Sequence, residues 1–175
     1  TNDTVFILAN GLAKNPRITR RGKPYRIFLS HLKRVSRYIA KELVKDGEGA
    51  TRVAQIRIKG ARTDEDAKRI ARRIGQSMLF KTMLAGGDPN WGRVVASLGA
   101  TGILFDSKKL DVSFEGAKIL QHGRVLAHHR AGVRKSLQRK EVSVEVNLNL
   151  GKGEARYLTC DLTPAYVRIN SWPST

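Results

Sequence analysis

Strict alternation of apolar and polar positions is clearest in the last third of the chain. Apolar residues occupy every second position from Val142 to Leu150, with polar or charged residues between them. A period of two predicts a strand with one buried face. Gly151-Lys152-Gly153 then predicts a turn into a second strand, Ala155 to Asp161. An earlier segment, Val53 to Lys59, alternates in the same way and predicts a strand whose inward face carries Ala54, Ile56 and Ile58.

Apolar residues that recur every three or four positions predict helices in the first half of the chain. One such stripe begins near Tyr25, ends at Asp46-Gly47 and consists of Phe28, Leu32, Val35, Ile39 and Leu43. Thr63 predicts the start of a second helix, because its hydroxyl can cap the helix and three carboxylates follow it. The predicted buried stripe of that helix is Ala67, Ile70, Ile74 and Met78. Trp91 to Leu98 predicts another helix that begins near Asn90.

The remaining segments complete an α/β pattern. Val5 to Ala9 is a short apolar run before the turn signal Asn10-Gly11, and we expect it to form a buried strand. Residues 12–24 indicate a loop, residues 110–114 a strand, residues 118–126 a hairpin and the basic segment 127–140 a helix. Together the elements predict one domain over residues 1–175, a layered sandwich of mixed or antiparallel sheets covered by helices.

Length and composition indicate a globular protein. The chain has 175 residues, of which 41% are hydrophobic, and this is enough for one domain with a buried core. No apolar run approaches the roughly 20 residues that a membrane-spanning helix needs. The single cysteine, Cys160, excludes an internal disulfide and fits a reducing compartment such as the cytoplasm.

The net charge of +18 arises from 33 Lys and Arg against 15 Asp and Glu. One interpretation is a nucleic-acid-binding module, because cationic side chains release counterions from phosphates. Another is a basic subunit with an acidic partner or small anionic substrates. The basic residues occur in every segment, and no zinc-finger spacing or aromatic RNA-binding strand motif accompanies them. Nucleic-acid binding therefore remains an alternative function that rests on charge alone.

Two segments can carry chemistry in their own right. Thr1 can act as an N-terminal nucleophile, with its α-amine as the base, which gives an acyl hydrolase or transferase as a second alternative. The other interpretation is that residue 1 is only where the chain was cut. In Asp46-Gly47-Glu48-Gly49-Ala50-Thr51, two glycines flank the Glu48 carboxylate and permit close approach of a ligand. That carboxylate can hold an ammonium group, or it can be an exposed acid at a helix end.

A third segment combines Lys81-Thr82 with Gly86-Gly87-Asp88-Pro89-Asn90-Trp91-Gly92-Arg93. The free backbone N–H groups at the predicted helix start near Asn90 can face an anion, although a capped turn explains the same residues. The histidines are not placed at metal-ligand spacing, so we expect no metal site; they are His31, His122, His128 and His129.

Four stretches in this order resemble ornithine acetyltransferase, also called glutamate N-acetyltransferase, of arginine biosynthesis. They are Thr1-Asn2-Asp3-Thr4 with Ala9-Asn10-Gly11, Asp46 to Thr51, Lys81-Thr82 with Asp88 to Arg93, and Cys160-Asp161-Leu162-Thr163 with Tyr166 to Asn170. The resemblance covers nearly the whole chain.

The resemblance implies a precursor that cleaves itself just before a threonine. That threonine accepts acetyl from N-acetylornithine and passes it to glutamate, and some members also use acetyl-CoA as the acetyl donor. No cofactor or metal is implied. It also implies a layered fold with two sheets between helices, and a cytoplasmic heterotetramer or larger assembly. In that assembly the N-terminal (alpha-chain) portion of the precursor is the partner, and the active site is built from both chains.

The family nucleophile lies in a Thr-Thr-Asp-Ala-like segment preceded by Ala-Thr-Met-Leu, and this sequence contains no such segment. Thr1 instead matches a threonine downstream of it. We therefore expect a C-terminal, beta-chain-like portion whose nucleophile lies upstream. The resemblance carries three substrate contacts onto this chain, namely Glu48, Asn170 and Thr175. An ornithine-like ligand offers ammonium groups to a carboxylate, and a carboxylate to amide and hydroxyl donors.

Overall fold

The computed structural model describes residues 4–126 and 130–171. The chain forms two compact units, Thr1–Leu43 and Val44–Thr175. No helix within the described ranges combines the length and the apolar character that a bilayer crossing requires. The interpretation of residues 1–175 as one domain stays a prediction.

Helix α1, Lys23–Lys45, confirms the helix that the first apolar stripe predicts. None of its residues is buried. Within the stripe, Phe28 is 52% exposed and Val35 is 49% exposed. The spacing therefore identified a helix with one apolar face, while that face lies open in this chain.

The predicted strand at Val5 to Ala9 is wrong. Residues 4–22 contain neither helix nor strand. Phe6 and Leu8 are 82% and 92% exposed. An apolar run indicates only that its side chains favour burial. A strand also needs a neighbouring strand that hydrogen-bonds to its backbone N–H and C=O groups. None of the described strands pairs with this run.

The second unit is built on a mixed six-stranded sheet, in the order β4-β3-β2-β5-β1-β6. Its strands are β1 Val53–Ala61, β2 Asp111–Phe114, β3 Ala117–Gln121, β4 Arg124–Val125, β5 Glu141–Asn147 and β6 Gly153–Cys160. Strands β1 and β5 pair in parallel, and every other neighbouring pair is antiparallel. The predicted strands at residues 53–59, 110–114, 142–150 and 155–161 are thus confirmed with small shifts of their ends.

Five helices accompany the sheet: α2 Asp64–Gly75, α3 Met78–Gly86, α4 Trp91–Gly99, α5 Arg130–Ser136 and α6 Pro164–Ser171. Thr63 caps α2 as predicted, since its side chain accepts from the N–H of Asp66 at 3.1 Å. The predicted burial of Met78 is wrong, because this side chain is 73% exposed. Helix α2 ends at Gly75, and Ser77 caps a new helix, so Met78 lies on a different axis from Ile74.

The core forms where α2 packs on β1 and β6. Ala54, Ile56 and Ile58 are fully buried, as the alternation predicts. Gly75 lies directly against Tyr157, where a Cβ would approach the ring to 2.5 Å. On the other face of β1, β5 and β6, Arg57, Lys59, Glu145 and Glu154 form ion pairs. The predicted α/β class is confirmed, with one sheet within the described residues; completion of the fold by a partner chain stays a prediction.

Candidate functional site

The pairing of β1 with β6 brings two distant loops together. Val53, at the start of β1, pairs with Cys160, at the end of β6. The loop that precedes β1, residues 46–52, therefore lies beside residues 161–163, which lead from β6 into α6. The first loop contains Glu48, and α6 contains Asn170. Sheet topology thus positions both predicted substrate contacts.

Asp161 ties the two loops to each other. Its side chain is fully buried and accepts hydrogen bonds from the N–H of Thr51 at 2.8 Å and the N–H of Arg52 at 3.0 Å. The Thr51 hydroxyl donates to its second oxygen at 2.5 Å. The Arg52 guanidinium lies 3.8 Å away. A buried carboxylate with these donors and a nearby cation is satisfied, so it acts as a structural anchor.

Arg52 links the same loop to α3. Its guanidinium donates to the carbonyl oxygens of Leu84 at 3.1 Å and Ala85 at 2.7 Å, in the last turn of that helix. A second nitrogen donates to Gln138 at 2.9 Å. The cation therefore adds donors to carbonyls at the end of α3 and complements the negative end of the helix dipole.

Helix α6 begins against the Glu48 loop. The Thr163 hydroxyl donates to the carbonyl of Gly49 at 2.7 Å, while its own carbonyl accepts from Tyr166 N–H at 3.1 Å. The N–H of Leu162 donates to the carbonyl of Lys81 at 3.1 Å, so α3 supports this segment from a further side. Gly49 has a φ of +66°, which glycine adopts without strain.

Glu48 and Asn170 are in direct contact. The side-chain amide of Asn170 donates to the Glu48 carboxylate at 2.6 Å and to the carbonyl of Tyr166 at 3.0 Å. Both side chains are exposed. A carboxylate that one amide orients and that still faces solvent can accept a charge-assisted hydrogen bond from an ammonium group. The structure thus brings these two predicted residues together, and their role in binding stays a prediction. Thr1 and Thr175 lie outside the described residues.

The segment Lys81-Thr82 with Asp88 to Arg93 joins two helices. Asn90 caps α4 by accepting from the N–H of Arg93 at 3.3 Å. The Arg93 guanidinium donates to the Leu79 carbonyl at 2.9 Å and to the Thr82 hydroxyl at 3.1 Å. These contacts support the interpretation of the segment as a capped turn between α3 and α4.

An open cavity of about 690 Å³ lies between α3 and α6. Polar side chains on its lining are Thr82, Thr163, Arg168 and Ser171. Thr163 therefore borders this cavity and also contacts the Glu48 loop through Gly49.

The histidines within the described residues make structural contacts. The ring of His31 contacts the carbonyl of Ile27 at 3.1 Å. The backbone N–H of His122 donates to the Asp111 carboxylate at 2.8 Å, and the Lys118 ammonium donates to the same carboxylate at 3.3 Å. Burial alone would raise the pKa of Asp111, but these hydrogen bonds and the positive charges outweigh it and the pKa is lowered. His128 and His129 lie outside the described residues, and within these no three possible ligands cluster as a metal site.

Sequence reasoning used Asp161 and Thr163 as family markers and missed their contacts. One local signal was available, because Thr163 followed by Pro164 is typical of a helix cap and a first helical residue. The bond from Thr163 to Gly49 spans 114 residues, so no local pattern could have revealed it.

Comparisons with known proteins agree with the sequence motifs. The model of the ArgJ family matches residues 1–175. The arginine biosynthesis bifunctional protein ArgJ of Symbiobacterium thermophilum is 43% identical over 170 residues, which is 97% of this chain and 42% of that protein. The protein of the same name from Geobacter sulfurreducens is 41% identical over 173 residues, covering 98% of this chain and 44% of that protein.

A crystal structure of the arginine biosynthesis bifunctional protein ArgJ from Bacillus halodurans has the same fold. It matches with a TM-score of 0.93 at 32% identity, over 98% of this chain and 81% of that chain. The present chain spans less than half the length of the two curated relatives above. Family model, sequence identity and fold agree, and the chain belongs to the ArgJ family.

Proposed function

We propose that this chain supplies the amino-acid-binding residues of an enzyme that transfers acetyl from N-acetylornithine to glutamate. The observation that carries the proposal is the contact between Glu48 and Asn170, at 2.6 Å, in a chain of the ArgJ family. The Glu48 carboxylate pairs with an ammonium group of the substrate, while Asn170 orients that carboxylate through its NH2 group and offers its amide oxygen as an acceptor to the bound amino acid. Thr175 adds a hydroxyl donor to the substrate carboxylate.

The proposed reaction passes through an acetyl-threonine intermediate. The threonine hydroxyl attacks the acetyl carbonyl of N-acetylornithine, the C–N bond breaks, and the hydroxyl proton leaves with the ornithine amine. The amine of glutamate then attacks the ester carbonyl, the ester C–O bond breaks, and the threonine oxygen takes up the proton that the glutamate amine gives up. Both steps need only an amide, an ester and an amine, so no cofactor takes part. Acetyl-CoA can enter as an alternative donor in the first step.

The nucleophilic threonine belongs, in this proposal, to polypeptide that is absent from the present sequence. Two facts support this. The Thr-Thr-Asp-Ala-like segment does not occur in the sequence, and the chain covers 42% of the relative from Symbiobacterium. The substrate contacts and the nucleophile then come from different portions of one precursor, in an assembly of at least two kinds of chain.

The apolar stripe of α1 is the surface we assign to that other portion. Phe28, Val35 and Leu43 are 52%, 49% and 39% exposed in the chain by itself. A continuous apolar helix face of this kind is typical of an interface and is not typical of a free surface. The occupant is the remaining polypeptide of the family, which makes up more than half of the curated relatives.

Co-expression tests the proposal. The chain is produced alone and together with the N-terminal portion of an ArgJ relative, and release of ornithine from N-acetylornithine is measured with glutamate present. We expect transfer only from the co-expressed pair, with equal amounts of ornithine and N-acetylglutamate formed. A folded, co-purifying pair that produces neither would overturn the proposal, and activity of the isolated chain that Thr1→Ala removes would replace it with the N-terminal-threonine alternative.

A further inference from the structure

Thr163 occupies a position that neither the substrate contacts nor the core explains. It is the residue just before α6, and its hydroxyl donates to the Glu48 loop. The bond to the carbonyl of Gly49 measures 2.7 Å, which is the usual length for a hydroxyl that donates to a carbonyl. The residue also lines the cavity between α3 and α6.

Thr163 is linked to both Glu48 and Asn170 through the backbone segments that carry them. Gly49 directly follows Glu48, so holding the Gly49 carbonyl restricts the backbone that carries the carboxylate. Asn170 lies seven residues after Thr163, which is about two helical turns. The hydroxyl therefore helps to set the distance between the start of α6 and the Glu48 loop, together with the packing of Gly49 on Ala165 and Tyr166.

Gly49 also packs on Ala165 and Tyr166, but the loop's other backbone hydrogen bonds do not replace the bond from Thr163. Asp161 holds the loop further along, at Thr51 and Arg52. Within the loop, the N–H of Ala50 donates to the Gly47 carbonyl at 2.9 Å, which shapes the turn without attaching it to α6. Glu48 is exposed, so packing does not restrict its side chain. Without the Thr163 hydroxyl, Glu48 and Asn170 would sample a wider range of separations.

We infer that Thr163 is a positioning residue that sets the affinity of this site for its amino-acid substrate through the Gly49 carbonyl. The inference rests on the proposed function. A loosened carboxylate weakens binding in the ground state and the transition state alike, so its loss raises KM and leaves kcat nearly unchanged.

The test compares three variants of the co-expressed enzyme. Thr163→Val keeps the shape and removes the hydroxyl, whereas Thr163→Ser restores the donor. Thr159→Val is the matched control, because the buried Thr159 hydroxyl donates to the Gly75 carbonyl at 2.8 Å, a bond of the same type outside the site. We expect Thr163→Val to raise KM for N-acetylornithine about tenfold. Thr163→Ser and Thr159→Val should stay within about twofold of the unchanged enzyme, although Thr159→Val loses stability.

NMR measures directly whether Asn170 stays in contact with Glu48. The side-chain amide signals of Asn170 report its contact with Glu48 by NMR, with no turnover required. Thr163→Val should move these signals toward those of Glu48→Ala, and Thr159→Val should leave them in place. Unmoved Asn170 signals, or a KM in Thr163→Val equal to that in Thr159→Val, would overturn the inference. If Glu48→Ala itself leaves KM unchanged, the proposed function is wrong; if only Thr163→Val does so, the function stands and the positioning role is wrong.

Discussion

Gly49 lies so close to α6 that a Cβ at this position would be 2.7 Å from the backbone nitrogen of Tyr166 and 2.9 Å from the Cβ of Ala165. Its φ of +66° adds a second restriction, because L residues rarely adopt that conformation. The close approach of the Glu48 loop to the helix that carries Asn170 therefore depends on the absence of a side chain at residue 49.

Gly49→Ala should destabilise the protein and separate the loop from α6. Backbone atoms cannot move aside as a flexible side chain can, and the positive φ is strained for alanine, so we expect a loss of about 2 kcal/mol or more in the free energy of unfolding. Urea unfolding at neutral pH measures it. Gly99→Ala is the control, since nothing lies within 4 Å of a Cβ there. Equal stability of the two variants would show that the approach is not as close as described.

Local patterns predicted the elements whose stability is decided locally. The alternation at Ala54, Ile56 and Ile58 gave the inward face of β1, because a half-buried strand can satisfy that pattern in only one way. Thr63 gave the start of α2, because a cap is a contact between residues three apart. The spacing of Phe28 and its neighbours gave α1, although not the exposure of its stripe.

Long-range contacts could not be predicted from patterns along the sequence. Parallel pairing of β1 with β5 joins segments nearly 90 residues apart, and no pattern along the chain encodes which strands become neighbours. Val5 to Ala9 failed as a strand for the same reason, since pairing depends on a partner. The contact of Glu48 with Asn170 was expected from the family resemblance, whereas the bond from Thr163 to Gly49 required coordinates.

Asp161→Asn should be among the more damaging single changes in the second unit. The buried carboxylate accepts three hydrogen bonds and lies near Arg52, so an amide places a donor where acceptors are needed and removes the negative charge beside the Arg52 cation. We expect a loss of about 3 kcal/mol. Chemical denaturation measures it, with Glu154→Gln as the control, because the Glu154 side chain is 54% exposed and Arg57 keeps Glu145 as a second partner, so the change should cost about 0.5 kcal/mol or less. If Asp161→Asn lowers the free energy of unfolding no more than Glu154→Gln does, the anchoring role of Asp161 is refuted.

The ionisation of Asp111 should make the stability of the folded protein depend on pH. Its pKa is lowered from an ordinary value of 3.8, so the folded protein holds this proton less tightly than the unfolded chain does. The stabilisation is therefore complete above about pH 4 and is lost as the pH falls through the lower folded value. The melting temperature should differ less between pH 6 and pH 3 in Asp111→Asn than in the unchanged protein. Asp46→Asn, at an exposed position, controls for the loss of one negative charge, and an equal effect of both variants would count against Asp111.

The apolar stripe of α1 should matter for assembly and not for folding. Val35→Glu places a charge on the stripe, while Ser30→Glu places the same charge on the opposite side of the helix, where the residue is exposed. Because Val35 is already 49% exposed, we expect both variants to unfold within about 0.5 kcal/mol of the unchanged chain. Co-purification with the N-terminal portion should fail for Val35→Glu alone. Retention of the complex in that variant would show that another surface binds the partner.

The most direct measurement of the central claim is kcat/KM for N-acetylornithine in Glu48→Gln of the co-expressed enzyme. Glutamine keeps the length of the side chain and an oxygen for the Asn170 amide, and it removes only the charge that we propose pairs with the substrate ammonium. Glu65→Gln, on the exposed surface of α2, is the control. We predict a fall of about a hundredfold, or about 2.7 kcal/mol, for Glu48→Gln and an unchanged value for Glu65→Gln. A folded Glu48→Gln enzyme with unchanged kcat/KM would contradict the claim that this carboxylate binds the substrate.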